Sequence, residues 1–550
     1  MAPSHSWRAL ALFIATITPI AKADICSTLA QGGISIEYPV SIDYSTDLTK
    51  YWSAACGDLK PTCIAAPSSA AEMAQIVKQL HDVDTLFAVK SGGHNPNNGF
   101  ASIQDGLLIS TKNLDQVDYN EDDKTAVIGP GLSWEEAQEG LDGTGRAVVG
   151  GRLGGVGIGG YMLGGGMSFL STQYGWAANN VANFEVVLAN GTIVNANEKE
   201  NTDLFASLKG GGNNLGIVTA YTMDTHPIGK VWGGNYIFTS DKTPQLLEAL
   251  RSFVDDYPDD KAAIILTKEH GALGVIDLWI MFLFYDGPEP PAGVFDEFQA
   301  IDHTSTTKTW DSYYDLLKNN DNFILHGQRY TIATETTPVP NSTVGSSVLQ
   351  EYHDHWYNVT ESVIGVTDVI GSIAFQPVPK SFTRQAKARG GDLLDVPDDT
   401  NYIFIELDFS YAFAIDDDKI DQANQNLYQG MDNLVQKNIK EGLLPDVYRP
   451  LFMNDLYYRQ DYWGRIKPES KALALKTRLD VDPEGFFQQR TSGGWRLKEW
   501  NDGNLIPGLD DFCCILFNVH VFTFNANPTA GENFGLDSWI PLFKQREQLR

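Results

Sequence analysis

Positive charge is scarce in this chain of 550 residues: 40 Lys and Arg stand against 70 Asp and Glu, a net charge of −30. Such a surface repels nucleic acid and anionic membranes, and it fits a soluble protein from an acidic or extracellular setting. Long apolar runs are lacking beyond the N-terminus. The most apolar later stretch, residues 275–285 (VIDLWIMFLFY), is shorter than the roughly 20 residues of a membrane span and reads as a core strand. The glycine clusters contain no Gly-Lys-Ser/Thr phosphate loop, and the chain has no Gly-x-Ser-x-Gly hydrolase elbow. His353-Asp354-His355 lacks a third ligand at metal-site spacing, so no metal is expected. Cysteines number only five. In an oxidising compartment Cys26 pairs with Cys56 or Cys63, and spacing leaves both open. The adjacent Cys513 and Cys514 are expected in a strand, facing opposite ways.

Apolar residues make up 43% of the chain and 27 are Phe, which argues against disorder. The length suits two or three domain-sized units, roughly 100–200 residues each. Residues 1–23 read as a signal peptide: Arg8 gives the charged start, residues 9–20 (ALALFIATITPI) the apolar core, and Ala21-Lys22-Ala23 the cleavage site before Asp24. With the sequons at Asn190, Asn341 and Asn358, this implies a secreted or lumenal glycoprotein.

Composition then shifts twice. Residues 24–228 form one expected domain. From about residue 60, short β-branched runs at 86–89, 107–109 and 125–128 alternate with glycine loops. Residues 70–81 place Met73, Ile76, Val77 and Leu80 on one helical face, and Ser133 is a plausible N-cap for a helix that follows. Residues 229–445 form a second domain with longer elements. Strands are expected at 236–239, 262–267, 275–285, 373–377 and 402–411, and helices at 244–257 and 417–441. That order predicts an α+β fold, an antiparallel sheet backed by helices. Residues 446–550 return to short elements and turns. No internal repeat is evident.

Three glycine clusters carry the chemistry: Ser91-Gly92-Gly93-His94, residues 150–166 (GGRLGGVGIGGYMLGGG) and residues 210–216 (GGGNNLG). Glycine at this density costs conformational entropy, and the usual gain is backbone N–H groups set close against phosphate oxygens. The Gly155–Gly160 match to G-x-G-x-x-G is unavoidable in so glycine-rich a stretch, and no strong strand precedes it and no ordinary helix is expected after it.

These three clusters, in order and with Asp482-Pro483-Glu484-Gly485-Phe486-Phe487 near the end, resemble the FAD-binding domain of the vanillyl-alcohol oxidase superfamily, in particular its berberine-bridge-enzyme-like, fungal secreted branch. The resemblance implies a two-part PCMH-type FAD-binding domain joined to the substrate domain. It implies FAD bonded through its 8α-methyl to His94, a competent imidazole nucleophile directly after two permissive glycines. Attachment is expected to be single, because Leu153 stands where some relatives carry a second, cysteinyl link. Cofactor contacts are expected from Lys90, Ser91, Gly92, Gly93 and Asn95, from Gly154, Gly155, Val156, Gly157, Gly159 and Gly160, from Gly164, Gly165 and Gly166, and from Ile217, Val218 and Asn454. Val156 matches the position beside the flavin carbon that meets O₂. In sugar-oxidising relatives a tyrosine follows an asparagine near the C-terminus. Here Asp455 follows Asn454, so the proton acceptor is Asp455 or one of Tyr457 and Tyr458. Glu406 and Asp408 alternate out of an apolar strand, toward substrate or toward solvent. The expected activity is oxidation of a small alcohol, amine or phenolic molecule, a natural-product tailoring step, with O₂ reduced to H₂O₂. The alternatives are a carbohydrate oxidase and a flavin-binding protein without turnover.

Overall fold

Alternation along Tyr402–Tyr411 sets the architecture of the larger half of the protein. Ile403, Ile405, Leu407 and Phe409 are fully buried on one face, while Phe404, Glu406, Asp408 and Ser410 take the other. The computed structural model describes residues 24–497. The signal-peptide reading of residues 1–23 and the strand expected at Cys513 and Cys514 lie outside them.

Tyr402–Tyr411 belongs to an eight-stranded antiparallel sheet. Its order is Thr304–Ser305, Val231–Thr239, Ile276–Tyr285, Ala262–Gly271, Ile370–Val378, Tyr402–Tyr411 and Arg329–Pro338, with Lys308–Trp310 also on Val231–Thr239. Helices Thr243–Asp255, Ser347–Val363 and Asp417–Lys440 cover one face. Their Leu250, Trp356 and Leu427 pack with Ile405, Leu407 and Phe409. This is the expected α+β layering. The opposite face meets the rest of the chain, where Ile265, Phe284 and Ala374 share a core with Phe169 and Leu170.

Two further sheets precede it. The first has four strands in the order Ser35–Glu37, Cys63–Ala66, Leu107–Ser110, Phe87–Lys90, with the first pairing antiparallel and the other two parallel. Helix Ala70–Leu80 starts at Ser69, whose hydroxyl accepts from the Glu72 N–H, and buries Met73, Ile76, Val77 and Leu80 as its periodicity predicts. The second sheet is antiparallel: Val117–Asn120, Thr125–Ile128, Ile217–Pro227, Val181–Val187 and Ile193–Asn197 run in that order, with Arg146–Val148 on the far end of Ile217–Pro227. Ser133 caps Trp134–Glu139 in a full capping box with Glu136.

The segment after the third sheet runs back to the first. Phe486 and Phe487 pack on Phe87, and the Ser492 N–H donates to the Phe87 carbonyl at 2.9 Å. Asp482 explains the acidic start of its motif: its carboxylate accepts from the N–H groups of Phe486 (2.6 Å) and Phe487 (2.9 Å) and starts the short helix Phe486–Arg490. Of the two cysteine pairings left open by spacing, Cys26 is bonded to Cys63, tying helix Ile25–Gln31 to the first sheet, and Cys56 is a buried free thiol. Asn190, Asn341 and Asn358 are all exposed, the first two in turns and the third on helix Ser347–Val363. No helix among the described residues is long and apolar enough to cross a membrane.

Candidate active site

A cavity of about 440 Å³ lies between the glycine loops and the open face of the large sheet. The first two glycine clusters touch backbone to backbone. A Cβ on Gly157 would sit 2.3 Å from the Gly92 nitrogen and 2.5 Å from its Cα, and one on Gly92 would sit 2.6 Å from the Gly157 Cα. No side chain fits between them, which is why both are glycine. Ser91 ties the same junction: its Oγ donates to the Pro130 carbonyl at 2.5 Å and accepts from the Gly159 N–H at 3.0 Å. Gly157 then caps a helix of six residues, Ile158–Leu163, where the sequence reading expected none. Asn454 stitches on the returning segment, donating to the Tyr161 carbonyl at 3.0 Å and accepting from the Gly166 N–H at 3.3 Å.

Gly157→Ala is therefore expected to separate the two loops. Backbone atoms cannot yield as a flexible side chain does, so a loss on the order of 1–3 kcal/mol is expected. A purified variant that keeps the wild-type flavin-to-protein absorbance ratio and melting temperature would contradict this.

Of the expected cofactor residues, Ser91, Gly92, Gly93, His94, Asn95, Val156, Gly157, Gly159, Gly160, Gly164, Ile217, Val218 and Asn454 line the cavity. Five of the expected residues do not line it. Lys90 is turned toward Tyr51. Its ammonium lies 4.8 Å from the Tyr51 ring centroid, and burial lowers its pKa to about 8. Gly154 and Gly155 face Asp321, and the carbonyls of Gly165 and Gly166 accept from Ala178 and Ala177. A flavin fits what remains: a Cβ on Gly160 would meet nothing within 4 Å, so open space adjoins a bare backbone there. His94 sits in this wall with its ring stacked on Trp52 (centroids 4.5 Å apart, planes within 5°), and Trp52 stacks in turn on Tyr330. Burial lowers the imidazole pKa to about 4, so the ring is neutral and holds a free lone pair. Leu153, in place of a second attachment residue, also lines the cavity.

The sheet wall is acidic. Glu269, Ser372 and Asp408 stand in one cross-strand row and Thr267, Ala374 and Glu406 in the next. Glu406 and Asp408 thus face the cavity rather than bulk solvent. Burial raises the proton affinity of Glu269, Glu406 and Asp408. For Asp408 the rise is large, and Glu406 and Asp455 add to it. Asp408 Oδ1 is buried without a hydrogen-bond partner among the described residues. Asp455, in the turn Met453–Asp455, is 7% exposed and lines the same cavity. Burial and then Glu406 raise its proton affinity well above the ordinary carboxylate range, against the opposing pull of Arg152 and Gln376.

The three proton acceptors left open by the sequence are separated by the fold. Tyr457 and Tyr458 lie outside the cavity wall, and both hydroxyls approach Asp421 on helix Asp417–Lys440. Only Asp455 is at the cavity. Sequence reasoning missed Trp52, Arg152, Glu269 and Gln376. Two of these carried a signal: Arg152 is the sole charge within residues 150–166, and Gln376 interrupts an apolar strand. His353 pairs with Asp354, and His355 bonds the Leu427 carbonyl.

Glycine loops thus face an acid-bearing antiparallel sheet across one cavity. The family model described as FAD binding domain matches residues 61–197. An uncharacterized FAD-linked oxidoreductase of Arthroderma benhamiae is 46% identical over 475 residues, covering 86% of this chain and 94% of that one. An FAD-dependent monooxygenase of Penicillium roqueforti is 30% identical over 496 residues (86% and 94%), and the bifunctional solanapyrone synthase of Alternaria solani is 30% identical over 506 residues (86% and 88%). Among solved structures, berberine bridge enzyme from Eschscholzia californica is similar with a TM-score of 0.65 at 18% identity, covering 86% of this chain and 100% of that one. Carbohydrate oxidase from Microdochium nivale is similar at 0.68 and 23%, covering 86% and 99%. The chain belongs to the FAD-linked oxidoreductases and has the berberine-bridge-enzyme fold.

Proposed function

We propose that this enzyme oxidises a small, largely apolar alcohol, amine or phenolic molecule, using FAD bonded singly through His94, and reduces O₂ to H₂O₂. The observation that carries the reading is that neutral His94 and buried Asp455 face one cavity. FAD supplies a two-electron acceptor for hydride from a substrate carbon and a route for those electrons to O₂. Ser91, Gly92, Gly93, Gly157, Gly159, Gly160, Ile217 and Val218 would hold it. Asp455 takes the proton from the substrate hydroxyl or amine. Ile265, Phe282, Ile332 and Ile370 give the substrate region apolar walls that exclude water, which favours an organic tailoring substrate over a carbohydrate. The relatives named for a monooxygenase and a solanapyrone synthase support a place in natural-product chemistry. Val156 in the cavity wall is the residue beside which O₂ would react. Asp455 at the cavity also weighs against a flavin carrier without turnover. The Cys26–Cys63 bond and the three exposed sequon asparagines support a secreted or lumenal location.

The test uses wild-type protein from a secretory host. A yellow acid-precipitated pellet is expected, together with substrate-dependent O₂ uptake matched one to one by H₂O₂. Flavin found only in the supernatant would remove the His94 bond. A flavin that substrate reduces but air does not reoxidise would make the enzyme a dehydrogenase.

A further inference from the structure

Three residues far apart in sequence form one polar chain in the cavity wall. Arg152, from the second glycine cluster, donates through Nη2 to Oε1 of Gln376, and Gln376 donates through Nε2 to Oδ2 of Asp455 at 2.8 Å. Gln376 is fully buried and Asp455 nearly so. A guanidinium only donates, so it fixes which end of the amide it meets. The amide oxygen must turn to Arg152 and the NH₂ must turn to Asp455. An NH₂ group only donates, so Oδ2 must accept. The chain is polarised in one direction, and it leaves Oδ1 of Asp455 for the cavity.

We propose that Gln376 and Arg152 are positioning residues for Asp455, aiming its free oxygen at the substrate and keeping it able to accept a proton. This rests on Asp455 being the proton acceptor. The groups around Asp455 show why such a device is needed. Glu406 and Asp408 approach from strand Tyr402–Tyr411 and Tyr161 from the short helix Ile158–Leu163, while Arg152 is the cation that opposes them. Burial and the neighbouring Glu406 carboxyl favour the protonated form, which is useless as a base. A hydrogen bond donated to the carboxylate, backed by a positive charge, works against both. The Tyr161 hydroxyl is turned away, donating to the Met167 carbonyl at 2.6 Å.

The test follows the carboxyl itself in FAD-loaded enzyme. Infrared pH titration of protein with ¹³C-labelled aspartate reads the protonated carbonyl stretch of Asp455, assigned by its loss in Asp455→Asn. Gln376→Leu removes the donor, so the Asp455 protonation midpoint is expected to rise by about one pH unit or more. Arg152→Gln should raise it too, without touching Asp455. Gln376→Glu keeps the shape and places a like charge beside Asp455, so it should raise the midpoint even where Gln376→Leu folds poorly. A role in packing alone predicts lower melting temperatures with an unmoved midpoint. Unmoved midpoints in folded Gln376→Glu and Arg152→Gln overturn the proposal. The two readings fail separately: a fully active Asp455→Asn removes the base assignment, whereas an inactive Asp455→Asn with unmoved midpoints removes only the positioning role.

Discussion

His94→Ala is expected to abolish covalent flavin: the acid-precipitated pellet turns from yellow to colourless, and the flavin moves to the supernatant. The effect should be complete because, among the described residues, the cavity offers no second nucleophile at an attachment position. Leu153 lines the wall where a second link would form and has no reactive atom. Cys56 is fully buried, its thiol lies 3.5–3.6 Å from the Asn95 and Pro96 carbonyls, and burial pushes its pKa to about 12, far from the thiolate that would react. His94 has the opposite setting. Its imidazole is neutral, and Trp52 fixes the ring plane. The substitution also removes half of that stack, worth about 0.5–1.5 kcal/mol, so a modest fall in melting temperature should accompany the loss. Because the glycine loops hold the rest of the cofactor, noncovalent flavin should persist in native protein. A covalent bond makes a flavin more oxidising, so the remaining turnover should be slower. A His94→Ala pellet that stays yellow would move the link to another residue.

Legibility in the sequence followed the range of the forces involved. Helix Ala70–Leu80, strand Thr125–Ile128 and the Ser133 cap were readable because periodicity and capping act within a few residues. Arg329–Pro338 (RYTIATETTP) was not: all ten positions are buried, on both faces, and a strand rich in Thr with no alternation carries no periodic signal. Its Thr334, Thr336 and Thr337 satisfy their hydroxyls on backbone or side-chain oxygens instead of solvent. The flavin wall was readable because glycine density and His94 are local features. Its detail was not, since whether Lys90 faces the cavity or Tyr51 depends on a contact distant in sequence that nothing local to a four-residue strand declares. The sheet wall was least readable. Glu269, Asp408 and Asp455 converge only through strand register and the returning segment, and Gln376 meets Asp455 across a gap of 79 residues.

Asp455→Asn is expected to lower kcat by roughly 10²–10⁴-fold while leaving flavin content unchanged. An amide of the same shape cannot take a proton, yet its oxygen can still accept from Gln376, so the site should keep its geometry. Flavin attachment depends on His94, on the other wall, and the pellet should stay yellow. Stability should move the other way. Asp455 has a higher proton affinity folded than unfolded, so its buried charge costs nothing below the unfolded pKa of about 4, increasingly more as pH rises toward the raised folded value, and a constant amount above it. The amide has no such cost. The melting temperature of Asp455→Asn relative to wild type should therefore climb from pH 4 upward, a gain in stability set against a loss in turnover. Thermal melts across pH and single-turnover flavin reduction, on the same samples, read both. A variant that reduces its flavin at the wild-type rate would pass the proton to Glu406 or Asp408, the two other carboxyls that interact with Asp455, and Glu406→Gln and Asp408→Asn would then show which.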